Sequence, residues 1–303
     1  MQDSRAQLVE RIENLKRSRK AVILAHNYQL GEIQDIAEFV GDSLELSQMA
    51  SKSEAEVIVF CGVHFMAETA SILCPDKTVL LPDTNAGCPM ANMVTAEKLL
   101  EKKKEHPEAT VVSYINTTAE VKAESDVCCT SANAITLVQK LNAREILFVP
   151  DQYLGHYISR KTGREMILWP GYCPTHARIQ TPDIVRLRKE HPQAEVMVHP
   201  ECRPEVIDLA DVVLSTGGMC RHVKSTAARE IVVGTEVGII YRLRKENPEK
   251  VYIPVSEQAI CPNMKLITLE KVLWSLEDMA PAVKVPEEIR IRAKAAVDKM
   301  LQA

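Results

Sequence analysis

Short, continuous apolar runs punctuate the chain. Residues 21–25, 57–60 and 78–82 are the first three. Residues 110–113, 126–130, 145–149 and 166–169 follow, then 195–198, 211–214, 230–233 and 250–253. Runs of four or five residues rich in Val, Ile and Leu, with no polar alternation, fit strands covered on both faces. Between them lie stretches with apolar residues at helical spacing. Leu8, Ile12 and Leu15 recur among the charges of residues 4–19, and residues 66–73, 96–105, 134–141 and 183–190 also read as helices. Ser43 opens another, through Met49, and the chain from Glu270 onward reads as two helices split near Pro281 and Pro286. Strands alternating with helices, without hairpin turns, predict parallel sheets with helices on both faces.

The order repeats three times. Cys88 lies in Gly87-Cys88-Pro89, Cys173 in Tyr172-Cys173-Pro174 and Cys261 in Ile260-Cys261-Pro262, at intervals of 85 and 88 residues. A near-constant interval is the signature of an internal repeat. The units are 1–87 with an N-terminal helix, 88–172, and 173–303 with the C-terminal helices. In each, the first polar residue after the first strand is His26, Tyr114 or His199, and two further on stand Tyr28, Asn116 and Glu201. Seventeen residues past the first position stand Ser43, Ser131 and Thr216, and the cysteines come 62, 59 and 62 past it. All twelve follow the C-terminal ends of predicted strands, where open α/β sheets place ligands. The expected architecture is three similar small α/β/α domains with parallel sheets. A pseudo-threefold axis relates them, and one site lies at the centre.

Composition narrows the class. The 303 residues are 46% hydrophobic and 26% charged, ordinary for a globular protein with a substantial core. A net charge of −4, without a basic tract, argues against nucleic acid as a partner. No apolar run approaches the roughly 18 residues of a membrane span, and the polar first 20 residues lack a secretion signal's apolar core. A cytoplasmic protein is expected, whose nine cysteines are thiols or ligands rather than disulfides. Neither G-x-x-x-x-G-K-[ST] nor G-x-G-x-x-G occurs, which lowers the standing of an NTPase or a dinucleotide enzyme.

Three matched thiolates without a fourth matched ligand leave an open position. Zinc accepts three cysteines and a water; a [4Fe–4S] cluster accepts three cysteines and leaves one iron free. Cys61, Cys74, Cys128, Cys129, Cys202 and Cys220 break the pattern and read as small buried hydrophobes. Ser43, Ser131 and Thr216 are either helix caps or parts of an anion pocket. His26, Tyr28, His199 and Glu201 are the acid–base candidates, and Tyr114 and Asn116 offer hydrogen bonds without charge. His176, three residues after Cys173, is a further anion or supporting ligand. The other five histidines have no such placement.

These residues resemble the quinolinate synthase family over nearly the whole chain. The resemblance rests on Leu24-Ala25-His26-Asn27-Tyr28-Gln29, Gly41-Asp42-Ser43, Gly87-Cys88-Pro89-Met90-Ala91 and Tyr114-Ile115-Asn116-Thr117 with Val121-Lys122-Ala123. It continues through Cys129-Thr130-Ser131-Ala132-Asn133, Gly171-Tyr172-Cys173 with His176, His199-Pro200-Glu201-Cys202, Ser215-Thr216-Gly217-Gly218 and Cys261-Pro262-Asn263-Met264. It implies three similar α/β domains around a [4Fe–4S] cluster held by Cys88, Cys173 and Cys261, with one open iron site. It implies condensation of iminoaspartate with dihydroxyacetone phosphate to quinolinate, with loss of phosphate and water, on the route to NAD. An iminoaspartate-producing L-aspartate oxidase is the implied functional link. Tyr28, Glu201 and His199 become the catalytic candidates; His26, Ser43, Tyr114, Asn116, Ser131, His176 and Thr216, together with His199 and Glu201, become the substrate-binding ones. Two other readings stand beside this one. The first is an Fe–S or zinc lyase for another phosphorylated ketose. The second is a non-enzymatic Fe–S carrier or redox sensor, which leaves the matched polar residues without a purpose.

Overall fold

A computed structural model describes residues 4–303; the first three residues of the predicted first unit lie outside it. Twelve strands form three four-stranded sheets among the described residues. The first holds β1 (Ala21–His26), β2 (Phe39–Gly41), β3 (Val57–Cys61) and β4 (Thr78–Leu80). The second holds β5 (Ala109–Tyr114), β6 (Val127–Cys129), β7 (Glu145–Val149) and β8 (Ile167–Leu168), and the third β9 (Glu195–Val198), β10 (Val212–Val213), β11 (Glu230–Gly234) and β12 (Val251–Pro254). All strand pairs are parallel, and all three sheets share one order: second, first, third, fourth strand. The chain therefore winds one way from the first strand to the second and the other way to the third. The switch point lies between the first and third strands of each sheet, where open α/β sheets bind ligands. Helices alternate with the strands, so this is the three-domain α/β fold that the apolar runs predict.

The repeat extends to individual hydrogen bonds. The amides of Ile23, Val111 and Val196, in the first strand of each sheet, donate to the carboxylates of Glu38, Asp126 and Asp211 at 2.7, 2.8 and 2.7 Å. Each carboxylate residue lies 15 positions downstream of its donor, just before the short second strand. Its own amide returns a bond to the same donor residue's carbonyl. The short second strand begins one residue too late to cover these amides, and a charged acceptor covers them instead. Bonds of this kind are worth about 1.5–3 kcal/mol each.

Several helices escape the sequence pattern, Gln152–Thr162 and Ile239–Glu246 among them. Gln152–Thr162 buries only Leu154, Gly155 and Ile158, and Ile239–Glu246 only Ile239, Ile240 and Leu243, too few apolar residues to read as a period. The C-terminal helices Leu269–Asp278 and Glu287–Gln302 are where the two prolines put them. The first packs on the N-terminal helix Arg5–Arg19, and the second packs on Ala119–Ala123 and β6. The segment between them pairs with β4: Leu81 donates to Pro281 O at 3.1 Å and Val283 to Val79 O at 2.8 Å. The chain's end thus ties the first and second units together. No helix among the described residues is long and apolar enough to cross a membrane.

Candidate active site

One cavity takes side chains from the C-terminal edges of all three sheets. His26, Tyr28, Ser43, Cys88, Tyr114, Asn116, Ser131, Cys173, His176, His199, Glu201, Thr216 and Cys261 all line it. The thirteen residues singled out by spacing or resemblance are therefore brought together, each sheet placing its share by the same strand order. The six unmatched cysteines do not line it and are buried elsewhere.

The three matched Cys-Pro dipeptides share a local geometry. Each opens a turn that leads into a short 3₁₀ helix: Ala91–Met93, His176–Arg178 and Pro262–Leu266. Proline fits the start of such a turn, where its missing N–H is not needed. The amides that follow point back at the sulfur: Met90 and Ala91 at Cys88, His176 at Cys173, Asn263 and Met264 at Cys261. Burial pushes the thiols up, Cys88 to about 12, and Cys261 acts in the same direction on Cys88, and Cys88 on Cys173. Three half-buried, mutually opposed thiols aimed at by amides, with no disulfide between them, form an incomplete donor set. Soft sulfur ligation with N–H···S support is what an iron–sulfur or zinc centre takes.

A second group offers metal-ligand atoms within 4.8 Å of one another: Cys173, His176 and Glu201. Here the nitrogen and oxygen already serve each other. His176 Nδ1 donates to Glu201 Oε2 at 2.8 Å and lies 3.2 Å from Cys173 Sγ. Tyr114 Oη donates to the other oxygen, Glu201 Oε1, at 2.5 Å. Burial opposes the charged form of Glu201, but His176 and His199 beside it and the bonds from His176 and Tyr114 outweigh burial and hold the carboxyl well below its usual range. Both tyrosine hydroxyls, Tyr28 and Tyr114, are pushed well up by burial and by Glu201, so they stay protonated.

His26 and His199 sit in equivalent turns. In each, the amide two residues on donates back to the ring: Tyr28 N to His26 Nδ1 at 3.2 Å, Glu201 N to His199 Nδ1 at 3.3 Å. Nδ1 is therefore the acceptor and Nε2 carries the hydrogen. His199 Nε2 lies 3.3 Å from Ser131 Oγ, and its ring stacks on His176 with centroids 4.8 Å apart. Burial pushes both rings down to about 3, so they are neutral N–H donors. Asn116 Oδ1 is buried without a partner, an acceptor left open.

The hydroxyls are not caps. Asp42 caps the helix Ser43–Lys52, accepting from Leu44 and Glu45, and Ser215 caps Thr216–Ser225, accepting from Gly218 at 3.1 Å. Before Ala134–Lys140 it is Asn133 that takes the Thr130 amide, at 2.8 Å. Ser43, Ser131 and Thr216 are left to face the cavity. Asn27 Nδ2 donates to Thr216 Oγ1 at 2.9 Å while Arg242 holds Asn27 Oδ1 at 2.7 Å, so the Thr216 hydrogen is free to turn to a ligand. Gly217 brings its backbone against a carboxylate of the first unit rather than an outside anion: a Cβ there would lie 2.6 Å from Asp42 Oδ2.

Thr235 and Glu236 are among the buried residues at this site that spacing missed. Thr235, after β11, bonds Tyr28 Oη at 2.6 Å and His176 Nε2 at 2.9 Å. Glu236 lines the cavity, accepts from the Cys261 amide at 3.1 Å and pairs with Lys265 at 2.9 Å, which fixes the third cysteine's loop. Strand register equates them with Gly62 and Val63 in the first unit and with Pro150 and Asp151 in the second. Chemistry at that position is not repeated, so a search for matched types passes over it.

Comparison with known proteins fits this geometry. A family model described as "Quinolinate synthetase A protein" matches residues 10–302. A protein named quinolinate synthase from Dehalococcoides mccartyi is 62% identical over 292 residues, 96% of this chain and 97% of its own length. Namesakes from Thermodesulfovibrio yellowstonii and Methanosarcina barkeri are 56% and 54% identical. They cover 97% and 98% of this chain, and each matches over 97% of its own length. With its three parallel sheets and one shared cavity, the chain belongs to the quinolinate synthetase A family.

Proposed function

We propose that the chain is a quinolinate synthase. It condenses iminoaspartate with dihydroxyacetone phosphate to quinolinate, releasing phosphate and water, in the biosynthesis of NAD. The observation that carries this reading is the convergence of three half-buried thiols and ten polar side chains on one cavity. Substrates bearing two carboxylates and a phosphate need hydrogen-bond donors that carry no competing negative charge. Ser43, Ser131 and Thr216 with the Nε2–H groups of His26 and His199 supply them, and Asn116 Oδ1 accepts from a substrate N–H or O–H. Glu201, ionised and buried, is the base, and Tyr28 and Tyr114 are hydroxyls that bind and orient beside it.

Cys88, Cys173 and Cys261 are assigned to a [4Fe–4S] cluster. Bound there, the cluster supplies a Lewis-acidic iron without a protein ligand, for a substrate oxygen or nitrogen. The Cys173, His176 and Glu201 atoms support a second reading, a single metal ion. The cluster is favoured because His176 and Glu201 are already paired with each other, whereas Cys88 and Cys261 have amide donors at their sulfurs, as Cys173 has, and take no part in that pair. An L-aspartate oxidase in the cytoplasm would deliver the iminoaspartate.

The test is anaerobic reconstitution. About four irons and four sulfides per chain, a thiolate-to-iron absorption band and quinolinate from the two substrates are expected. One metal per chain without sulfide would move the assignment to the single-ion reading. A fully loaded cluster with no quinolinate formed would reject the reaction.

A further inference from the structure

We propose that Thr235 is a positioning residue that fixes the direction of the hydrogen bonds joining Tyr28 to Glu201. The proposal rests on the reading of Tyr28, His176 and Glu201 as working side chains of this cavity.

Thr235 is 1% exposed and does not line the cavity. Its Oγ1 lies 2.6 Å from Tyr28 Oη and 2.9 Å from His176 Nε2, while those two are 3.4 Å apart. The other side of the imidazole settles the direction. His176 Nδ1 faces the Glu201 carboxylate at 2.8 Å and Cys173 Sγ at 3.2 Å. An ionised carboxylate only accepts, so the ring's hydrogen sits on Nδ1 and Nε2 accepts. The single hydrogen of Thr235 then goes to His176 Nε2, and its oxygen takes the hydrogen of Tyr28. The bonds run one way: Tyr28 to Thr235, Thr235 to His176, His176 to Glu201. With its hydrogen turned toward Thr235, Tyr28 presents lone pairs to the cavity and meets a substrate as an acceptor.

The hydroxyl is specific to the third unit. Strand register places Gly62 and Pro150 at the same position in the other two, so Thr235 is not a requirement of the repeated framework. Valine has nearly its shape and no hydroxyl.

The experiment is a kinetic cycle on the cluster-loaded protein under anaerobic conditions, with iron content and melting temperature checked for each variant. For Thr235→Val we expect kcat to fall about 10–100-fold, the range for losing a partner that orients a site histidine, with KM near the wild-type value. Thr235→Ser restores most of the rate. Because Thr235 acts through Tyr28, combining Thr235→Val with Tyr28→Phe loses no more than Tyr28→Phe alone. The proposal is overturned by wild-type kcat in Thr235→Val, by serine as damaging as valine, or by losses that multiply in the double variant. If both Thr235→Val and Thr235→Ala fail to fold, Thr235 is a packing residue and the proposal is likewise overturned. Full turnover in Tyr28→Phe removes the reading of the site itself, and the proposal with it.

Discussion

Tyr114 Oη donates to Glu201 Oε1 over 2.5 Å, across the boundary between the second and third units. Both residues are buried, at 4% exposure each, so the carboxylate's hydrogen bonds replace the water it has lost. Glu201→Gln removes the charge and keeps the shape. Turnover is expected to fall by about 10²–10⁴, the usual worth of a positioned base, while iron content and the absorption spectrum stay as in the wild type. Near-normal turnover would strike Glu201 from the reacting groups. Tyr114→Phe instead leaves a buried carboxylate one donor short. Its expected cost is about 1–3 kcal/mol in unfolding free energy, read from denaturant titration.

The cysteines separate by position: the three matched ones line the cavity half-buried, and the other six are buried away from it. Cys88→Ser, Cys173→Ser and Cys261→Ser should each abolish the cluster's absorption band, because each removes one of three soft ligands whose amide donors converge on it. Cys61→Ser and Cys202→Ser touch thiols that are more deeply buried and lie off the cavity. They should keep the band, at some cost in packing. A full band in any of the first three would break the ligand assignment, which iron and sulfide counts would check.

The fold was legible because burial on both faces leaves an unmistakable trace: continuous Val-Ile-Leu runs such as residues 57–60 and 145–149. The site was legible because three strand ends carry matched types at matched offsets. Legibility failed where those conditions failed. The helix Gln152–Thr162 buries too few side chains to show a period. Thr235 and Glu236 have Gly62, Val63, Pro150 and Asp151 as their counterparts, so the repeat is silent there. The capping roles went to Asp42 and Ser215, one residue before the hydroxyls that spacing picked out, a shift that only backbone geometry decides. Helix packing hid the fourth case: Gly217 faces Asp42 from another unit, a contact no local pattern encodes.

That contact makes its own prediction. In Gly217→Ala the added methyl would lie 2.6 Å from Asp42 Oδ2 and 2.8 Å from Glu45 Oε1. Asp42 is the cap of Ser43–Lys52 and also accepts from Ser215 at 3.1 Å, so it has little room to retreat. Overpacking of this kind costs about 1–3 kcal/mol. The shift also displaces Ser43 and Thr216, which flank the contact. A lower melting temperature together with a raised KM is therefore expected. Unchanged values of both would mean that the two helix starts separate freely.

The buried histidines set the acid limit of stability. His26 and His199 are pushed down to about 3, against 6.5 for the ordinary side chain, chiefly by burial. The unfolded chain gains protons on these rings as pH falls through 6.5, and the folded chain does not gain them until about 3. Stability is thus fully present above about pH 6.5 and is lost progressively below it, with a slope of about 1.4 kcal/mol per pH unit for each ring. Glu201 works in the same direction, but only below its own unfolded value of 4.5. Between those two values Glu201 does not contribute, and the difference in slope between the wild type and a variant lacking one ring isolates that imidazole. Urea unfolding of the wild type and of His26→Gln at about pH 7.5 and about pH 5.5 checks this: replacing one ring should remove about one proton's worth of slope. The same slope in both proteins would show that His26 takes up its proton in the folded state.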